Sequence, residues 1–485
     1  MKKTNMKKKT KKTIKKRTVN YQIRFVACFF IAIFIGMIGY ICYYSVTNKQ
    51  ELINNSYNGR QQMLLAQNSR GTIYSRDGEV LAETVQETDG TEVRSYPYGN
   101  LFSHVVGYAT NGRLGVESIA NYYLINSNAP LSEKASDDVS GTKYPGDSVY
   151  TTLDTTLQEI ASTSMGVYKG AIIVSEPSTG KILAMVSKPD FNPEDIEQIW
   201  DDLIADTDSS VLLNRATQGL YPPGSTFKIM TALEYIRENP ETYQNYAYNC
   251  VGSLTHGEDK INCYHGTVHG NVTFTRSFAK SCNTSFANIG LTLDRTAYAK
   301  TLNDLMFNQD LPITLNYSKS KVTMSADISD SDMMQVAIGQ GTTAITPLHL
   351  NLITCAIAND GELMKPYLVD RVENSAGSVI KQFNPSNYKR LISEEEATIM
   401  QGLLQEVVTG GTASRLSGLS YTAAGKTGSA EYNTSKEDSH AWFTGYAPAE
   451  DPQICVTIII EGAGAGGDYA VPIAKRIFDA YFTDQ

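Results

Sequence analysis

The sequence predicts an α/β protein of the α+β kind: one transmembrane helix, a small N-terminal domain, and a larger domain with a five-stranded, mainly antiparallel sheet flanked by helices. Three observations predict it. A basic N-terminus precedes a long apolar run, β-rich runs lie near both ends of the larger region, and helical patterns fill its middle. At 485 residues, 41% hydrophobic and 19% charged, the chain is long enough for two or three folded domains.

Residues 1–24 carry nine lysines, two arginines and no acid. FVACFFIAIFIGMIGYICYY then runs from Phe25 to Tyr44 without a charge. A helix of about 20 residues is about 30 Å long and crosses a bilayer. Basic flanks stay in the cytoplasm, so residues 1–24 read as a cytoplasmic tail, 25–44 as a single-pass anchor, and the rest as extracytoplasmic. A cleaved signal is the rival reading, but the run is long and no A-x-A site follows. The lysines also suit anionic lipid. Nucleic acid is not the expected partner: net charge is −9, so after eleven positive charges in the tail the remainder carries −20.

Residues 45–150 are expected to form the small domain, a pedestal or dimerisation-like element. Its first part, 45–68, is polar and reads as a stalk or exposed helix. RGTIYSRDGEVLAET (70–84) places Arg-Asp-Gly between strand-like runs, a hairpin signal.

Residues 151–485 are expected to form the larger domain. LQEIASTSMGVY is helical in period, and 170–187 is two β-rich runs joined at PSTG. Pro347 opens a helix with apolar Leu348, Leu350, Leu352, Ile353 and Ile357. SYTAAGKTGSAEY (420–432), HAWFTGYAP and ICVTIIIEG read as strands, and AVPIAKRIFDAYF as an amphipathic closing helix.

Seven cysteines are too few to build a domain of this size on disulfides. Cys250 and Cys263 bracket the loop VGSLTHGEDKIN and are candidates for a pair. Cys250, Cys263, His265 and His269 are an alternative zinc set whose spacing matches no strong motif.

Three short elements carry the chemistry. In YPPGSTFK, Ser225 stands at a helix start, where serine ordinarily caps free N–H groups. Lys228 follows three residues later on the same face, within reach of the Ser225 hydroxyl. A lysine acting as base must be neutral, which burial among Phe227, Ile229 and Met230 would favour. Ser281 and Asn283 form S-C-N, by itself readable as a loop cap, with Cys282 as a space-filling thiol or a second reactive group. Lys426, Thr427 and Gly428 form K-T-G, followed by Ser429. Alone it reads as an exposed turn. On a strand edge the lysine supplies charge, the threonine binds a carboxylate, and the glycine lets a ligand backbone approach. S-x-x-K, S-x-N and K-T-G in this order are the joint signature of penicillin-binding proteins and class A β-lactamases.

With these motifs, RGTIYSRDG, GRLGVE (112–117), HGNVTFTRSFAKSCN, IGQG with TPLHL, GKTGSAE and HAWFTGYAP resemble class B penicillin-binding proteins in compact form, from the anchor to the C-terminus. These are membrane-anchored peptidoglycan transpeptidases. The resemblance implies the penicillin-binding/serine β-lactamase-like fold, with Ser225 as acylated nucleophile and Lys228 as its base. It implies that Ser281 relays a proton and that Asn283 positions Lys228 and the substrate amide. Lys426 and Thr427 would hold the substrate carboxylate, and the N–H groups of Ser225 and Ser429 the oxyanion. It implies D-Ala-D-Ala stem peptides as substrate, β-lactams as inhibitors, no metal or organic cofactor, and a polytopic glycosyltransferase as membrane partner. The alternatives are a D,D-carboxypeptidase, a β-lactamase, and a β-lactam sensor or scaffold without turnover. The short stretch between anchor and catalytic region leaves no room for a glycan-polymerising domain, and no further domain is expected after the closing helix.

Overall fold

The computed structural model describes residues 3–47, 59–206, 209–431 and 439–483. Two units separate, residues 1–63 and 64–485. Within the first, helix Lys3–Thr47 holds the wholly exposed segment Asn20–Thr47, in which an 18-residue stretch reaches a mean hydropathy of 2.6. Tyr21 lies near one end of that segment and Tyr40, Tyr43 and Tyr44 near the other, all exposed, which suits the two interfaces of a bilayer. Of the expected stalk, residues 48–58 lie outside the described residues. Gly59–Gln67 is helical.

In the second unit, the small sheet has six strands. In spatial order they are Val379–Gln382, Val369–Glu373, Ser148–Thr151, Ile73–Tyr74, Val80–Gln86 and Glu92–Ser95. The hairpin expected around Arg-Asp-Gly is present, with Ile73 opposite Ala82. Two strands from far along the chain complete the sheet, with Val372 opposite Val149. The boundary expected at 150 therefore does not separate the strands of this layer. Glu117, fully buried, is clamped between Arg70 at 2.5 Å and Arg94 at 2.7 Å. Arg70 also donates to the Glu117 carbonyl and to Asn121 Oδ1, both at 2.7 Å. Burial raises the Glu117 carboxyl, but the two guanidiniums outweigh it and hold the group below its ordinary range.

The larger sheet has five strands, all antiparallel, in the order Ala424–Glu431, Ser439–Ala447, Ile454–Ile460, Gly170–Ser175 and Ile182–Lys188. Every residue of the three central strands is buried, so both faces are covered. Helix Gly466–Thr483 packs on these strands beside helix Thr155–Met165. Helix Pro347–Ala358 is buried along its whole length and also packs on the sheet, which explains its nearly continuous apolar sequence. Local signals set the helix starts: Thr346 caps the helix that Pro347 opens, and Ser393 forms a capping box with Glu396. The strand Ala424–Glu431 lies at the sheet edge, so K-T-G borders open space.

Candidate active site

Ser225 lies inside a 3-10 turn, Gly224–Phe227, that runs into helix Lys228–Glu238. Its side chain caps neither element, so the ordinary reading of this serine as a helix cap is not what the structure shows. Instead Lys228 Nζ donates to Ser225 Oγ at 3.0 Å. The turn is held from several sides. Gly224 N donates to Gly339 O at 2.9 Å, Trp442 Nε1 donates to Pro222 O at 3.0 Å, and Tyr221 pairs with Ile345. The Tyr221 hydroxyl donates to Glu461 at 2.7 Å, and Arg215 Nε donates to the same carboxylate oxygen at 2.8 Å. Gly224 has φ +52°, and a Cβ there would lie 2.8 Å from the Ser429 carbonyl oxygen. Glycine is required both for the backbone and for the approach of the K-T-G strand.

Lys228 is fully buried and makes three further bonds: 2.7 Å to Ser281 O, 3.3 Å to Ser281 Oγ and 2.7 Å to Asn283 Oδ1. Burial pushes its ammonium down to about 7, against an opposing influence from Cys282 and Cys263. Lys426, also fully buried, donates to Ser281 Oγ at 2.9 Å and to Thr427 O at 3.0 Å. Burial, and then the charge of Lys228, hold Lys426 well below the ordinary lysine range. Ser281 has φ +56°, a conformation sparsely populated by residues other than glycine, and it follows helix Phe274–Ala279. Asn283 donates to Asn262 O at 3.1 Å, which orients its amide oxygen towards Lys228.

A cleft of about 1140 Å³ opens over these groups, lined by Ser225, Ser281, Asn283, Thr427, Gly428 and Ser429 among others. The structure thus places six of the eight residues singled out in the sequence on the lining of one cleft, with the other two, Lys228 and Lys426, buried behind it and hydrogen-bonded to Ser225 and Ser281. A Cβ on Gly428 would lie 3.0 Å from Pro223 O and 3.1 Å from Thr226 Cγ2, so this strand packs directly on the turn carrying Ser225.

Several residues of the site were not apparent in the sequence. Thr412 shares a 2.5 Å hydrogen bond with Thr427 and lines the cleft. Glu461 and Arg215 support it from behind, and Asn262, on the cleft lining, holds the Asn283 amide. Their only signal was position beside recognisable runs, such as Glu461 directly after ICVTIII. The cysteines also differ from expectation. Cys250 and Cys263 are unbonded, with sulfurs 3.6 Å apart. His265 is exposed and stands outside the group, whereas Cys282 joins Cys250, Cys263 and His269 with all four ligand atoms within 4.8 Å.

A buried lysine–serine pair beside a second lysine on an edge strand, in this α+β frame, is an arrangement that suits acyl transfer through the serine. The family model for the penicillin binding protein transpeptidase domain matches residues 170–479, and that for the penicillin binding protein A dimerisation domain matches 70–149. The chain belongs to the penicillin-binding protein family of serine-type D,D-transpeptidases. It is 30% identical over 452 residues to the peptidoglycan D,D-transpeptidase PbpA of Mycolicibacterium smegmatis, covering 87% of this chain and 91% of that one. The D,D-transpeptidase domain of a peptidoglycan glycosyltransferase from Eggerthella lenta superposes with a TM-score of 0.78 at 31% identity, covering 86% of this chain and 99% of that one. Penicillin-binding protein A of M. tuberculosis, solved as an imipenem acyl-enzyme complex, gives 0.78 at 27% identity over 86% of this chain and 99% of that one.

Proposed function

We propose that the protein cross-links peptidoglycan stem peptides through an acyl-enzyme on Ser225 formed at D-Ala-D-Ala. The observation that carries this reading is the set of bonds around Lys228: one amine touches Ser225 Oγ, Ser281 Oγ and Asn283 Oδ1. With its value lowered to about 7, Lys228 has a substantial neutral fraction near neutral pH, and in that form its lone pair takes the Ser225 proton as Oγ attacks the penultimate D-Ala carbonyl. The backbone N–H groups of Ser225 and Ser429 stabilise the tetrahedral oxyanion. The proton passes through Ser281 to the departing D-Ala amine. Thr427, backed by Thr412, and the charge of Lys426 receive the substrate carboxylate beside Gly428. The amine of a second stem peptide then attacks the acyl-enzyme and restores the serine.

A β-lactam presents a strained amide in place of the D-Ala-D-Ala bond and acylates the same serine. The acyl-enzymes of the M. tuberculosis relative with imipenem and with penicillin G support this. Water as acceptor would make the protein a carboxypeptidase. The similarity to proteins described as D,D-transpeptidases favours the amine. The apolar N-terminal helix is consistent with membrane anchoring. Its basic flank favours a cytoplasmic tail over 1–24, a single span over 25–44 and an extracytoplasmic catalytic region. The pedestal would be built mainly from 45–150 and the transpeptidase domain from 151–485, with strands Val369–Glu373 and Val379–Gln382 joining the pedestal sheet. Glycan strands would come from a polytopic glycosyltransferase in the same membrane. The test is product analysis with lipid-linked peptidoglycan and a polymerase: cross-linked dimers support the reading, and trimmed monomers alone refute it in favour of the carboxypeptidase.

A further inference from the structure

Beside Ser281–Asn283, with Cys263 and His269 on the lining of the cleft, lies a cluster that the acyl-transfer chemistry does not use. Cys250 ends strand Ala247–Cys250, Cys263 follows strand Asp259–Asn262, His269 precedes strand Gly270–Thr273, and Cys282 directly precedes helix Asn283–Thr292. The three cysteines are almost fully buried, at 0%, 2% and 0% exposed in chain order. We infer that Cys250, Cys263, Cys282 and His269 bind one zinc ion, which staples the strand pair Ala247–Cys250 and Gly270–Thr273, and the hairpin Ser253–His256 and Asp259–Asn262 between them, to the Ser281–Asn283 segment.

The distances carry this. Zinc–sulfur bonds of about 2.3 Å at tetrahedral angles place sulfurs about 3.8 Å apart, and a zinc-bound imidazole nitrogen about 3.5 Å from each sulfur. Cys250 and Cys263 sulfurs are 3.6 Å apart, Cys263 and Cys282 sulfurs 3.8 Å, and Cys250 Sγ lies 3.4 Å from His269 Nδ1. A disulfide would need about 2.05 Å. Thr284 Oγ1 sits 3.2, 3.6 and 3.4 Å from the sulfurs of Cys250, Cys263 and Cys282, where its hydroxyl can donate to thiolates, a common support around a metal. Three cysteines and a histidine complete a four-coordinate shell with no open position, which is the pattern of structural rather than catalytic zinc. The site therefore acts on catalysis only through the segment it holds.

The test is the zinc content of the full chain purified in detergent, with cobalt substitution as a second readout. The expected result is about one zinc per chain, at least about tenfold less in Cys282→Ser and His269→Ala, and no loss in His265→Ala. Cobalt should give thiolate-to-metal bands and the visible bands of a tetrahedral site. Chelation should speed hydrogen exchange of the amides around residues 281–286. A folded wild-type chain that holds no zinc and gives no cobalt bands would overturn the inference, as would a Cys250–Cys263 disulfide or a loss of metal in His265→Ala. Unchanged exchange after chelation would overturn the stapling. If Cys282→Ser does not fold, the wild-type cobalt spectrum and His265→Ala still decide. Metal content is read without an acylation assay, so its failure is separate from any failure of the acyl-transfer reading.

Discussion

Lys426 Nζ lies 2.9 Å from Ser281 Oγ, and the same hydroxyl is 3.3 Å from Lys228 Nζ. One serine thus bridges two buried lysines that are far apart in the sequence. Two ammonium groups so placed repel, and burial penalises both charges.

The first prediction concerns pH. Burial lowers the Lys228 value to about 7, so its base form is depleted below that pH and dominant above it. The acylation rate with a chromogenic β-lactam should rise as pH passes through about 7 and level off above. Lys228→Ala should slow acylation by about 10²–10⁴-fold while the circular dichroism spectrum is unchanged. A flat profile in the wild type, or an unchanged rate in the variant, would exclude Lys228 as base.

The turn before Ser225 depends on Glu461, which receives both Tyr221 and Arg215. Glu461→Gln keeps the shape but weakens two charge-assisted bonds. It should lower unfolding stability by about 1–3 kcal/mol, read by urea denaturation, and slow acylation. Loss of stability with an unchanged acylation rate would show that the turn does not need this support.

The K-T-G strand is in contact with that turn at Gly428. In Gly428→Ala the new methyl meets Pro223 O at 3.0 Å and Trp442 Cβ at 3.1 Å, so turn and strand must part. A stability cost of about 1–3 kcal/mol is expected, together with slower acylation. Wild-type kinetics in this variant would contradict the close packing.

Away from the cleft, Glu117 joins the hairpin and helix of the pedestal through Arg70 and Arg94. Glu117→Gln would leave two buried guanidiniums without a counter-charge. The predicted loss is about 3–5 kcal/mol in urea unfolding, with acylation per folded molecule unchanged.

The lysines and serines of the candidate site were legible because each motif combines residue types at fixed short spacing, and their order along the chain narrowed the reading further. Ser225 by itself favoured a cap, and only Ser281, Asn283 and the K-T-G run shifted that reading. The strands of the larger sheet were legible from apolar runs such as ICVTIII. The pedestal sheet was not, because Val372 pairs with Val149 across more than two hundred intervening residues and no local pattern signals such a partner. The cysteine cluster was half legible. Cys250, Cys263 and His269 are close in sequence, but the same proximity points to His265 rather than Cys282, because spacing along the chain does not reveal that His265 is exposed while Cys282 is buried beside Ser281.

The central claim is that Ser225 is the residue acylated. Incubation with a labelled penicillin, followed by peptide mapping by mass spectrometry, tests it most directly. The account predicts one adduct per chain, on Ser225, absent from a folded Ser225→Ala variant. An adduct on another residue, or labelling that persists in Ser225→Ala, would contradict it.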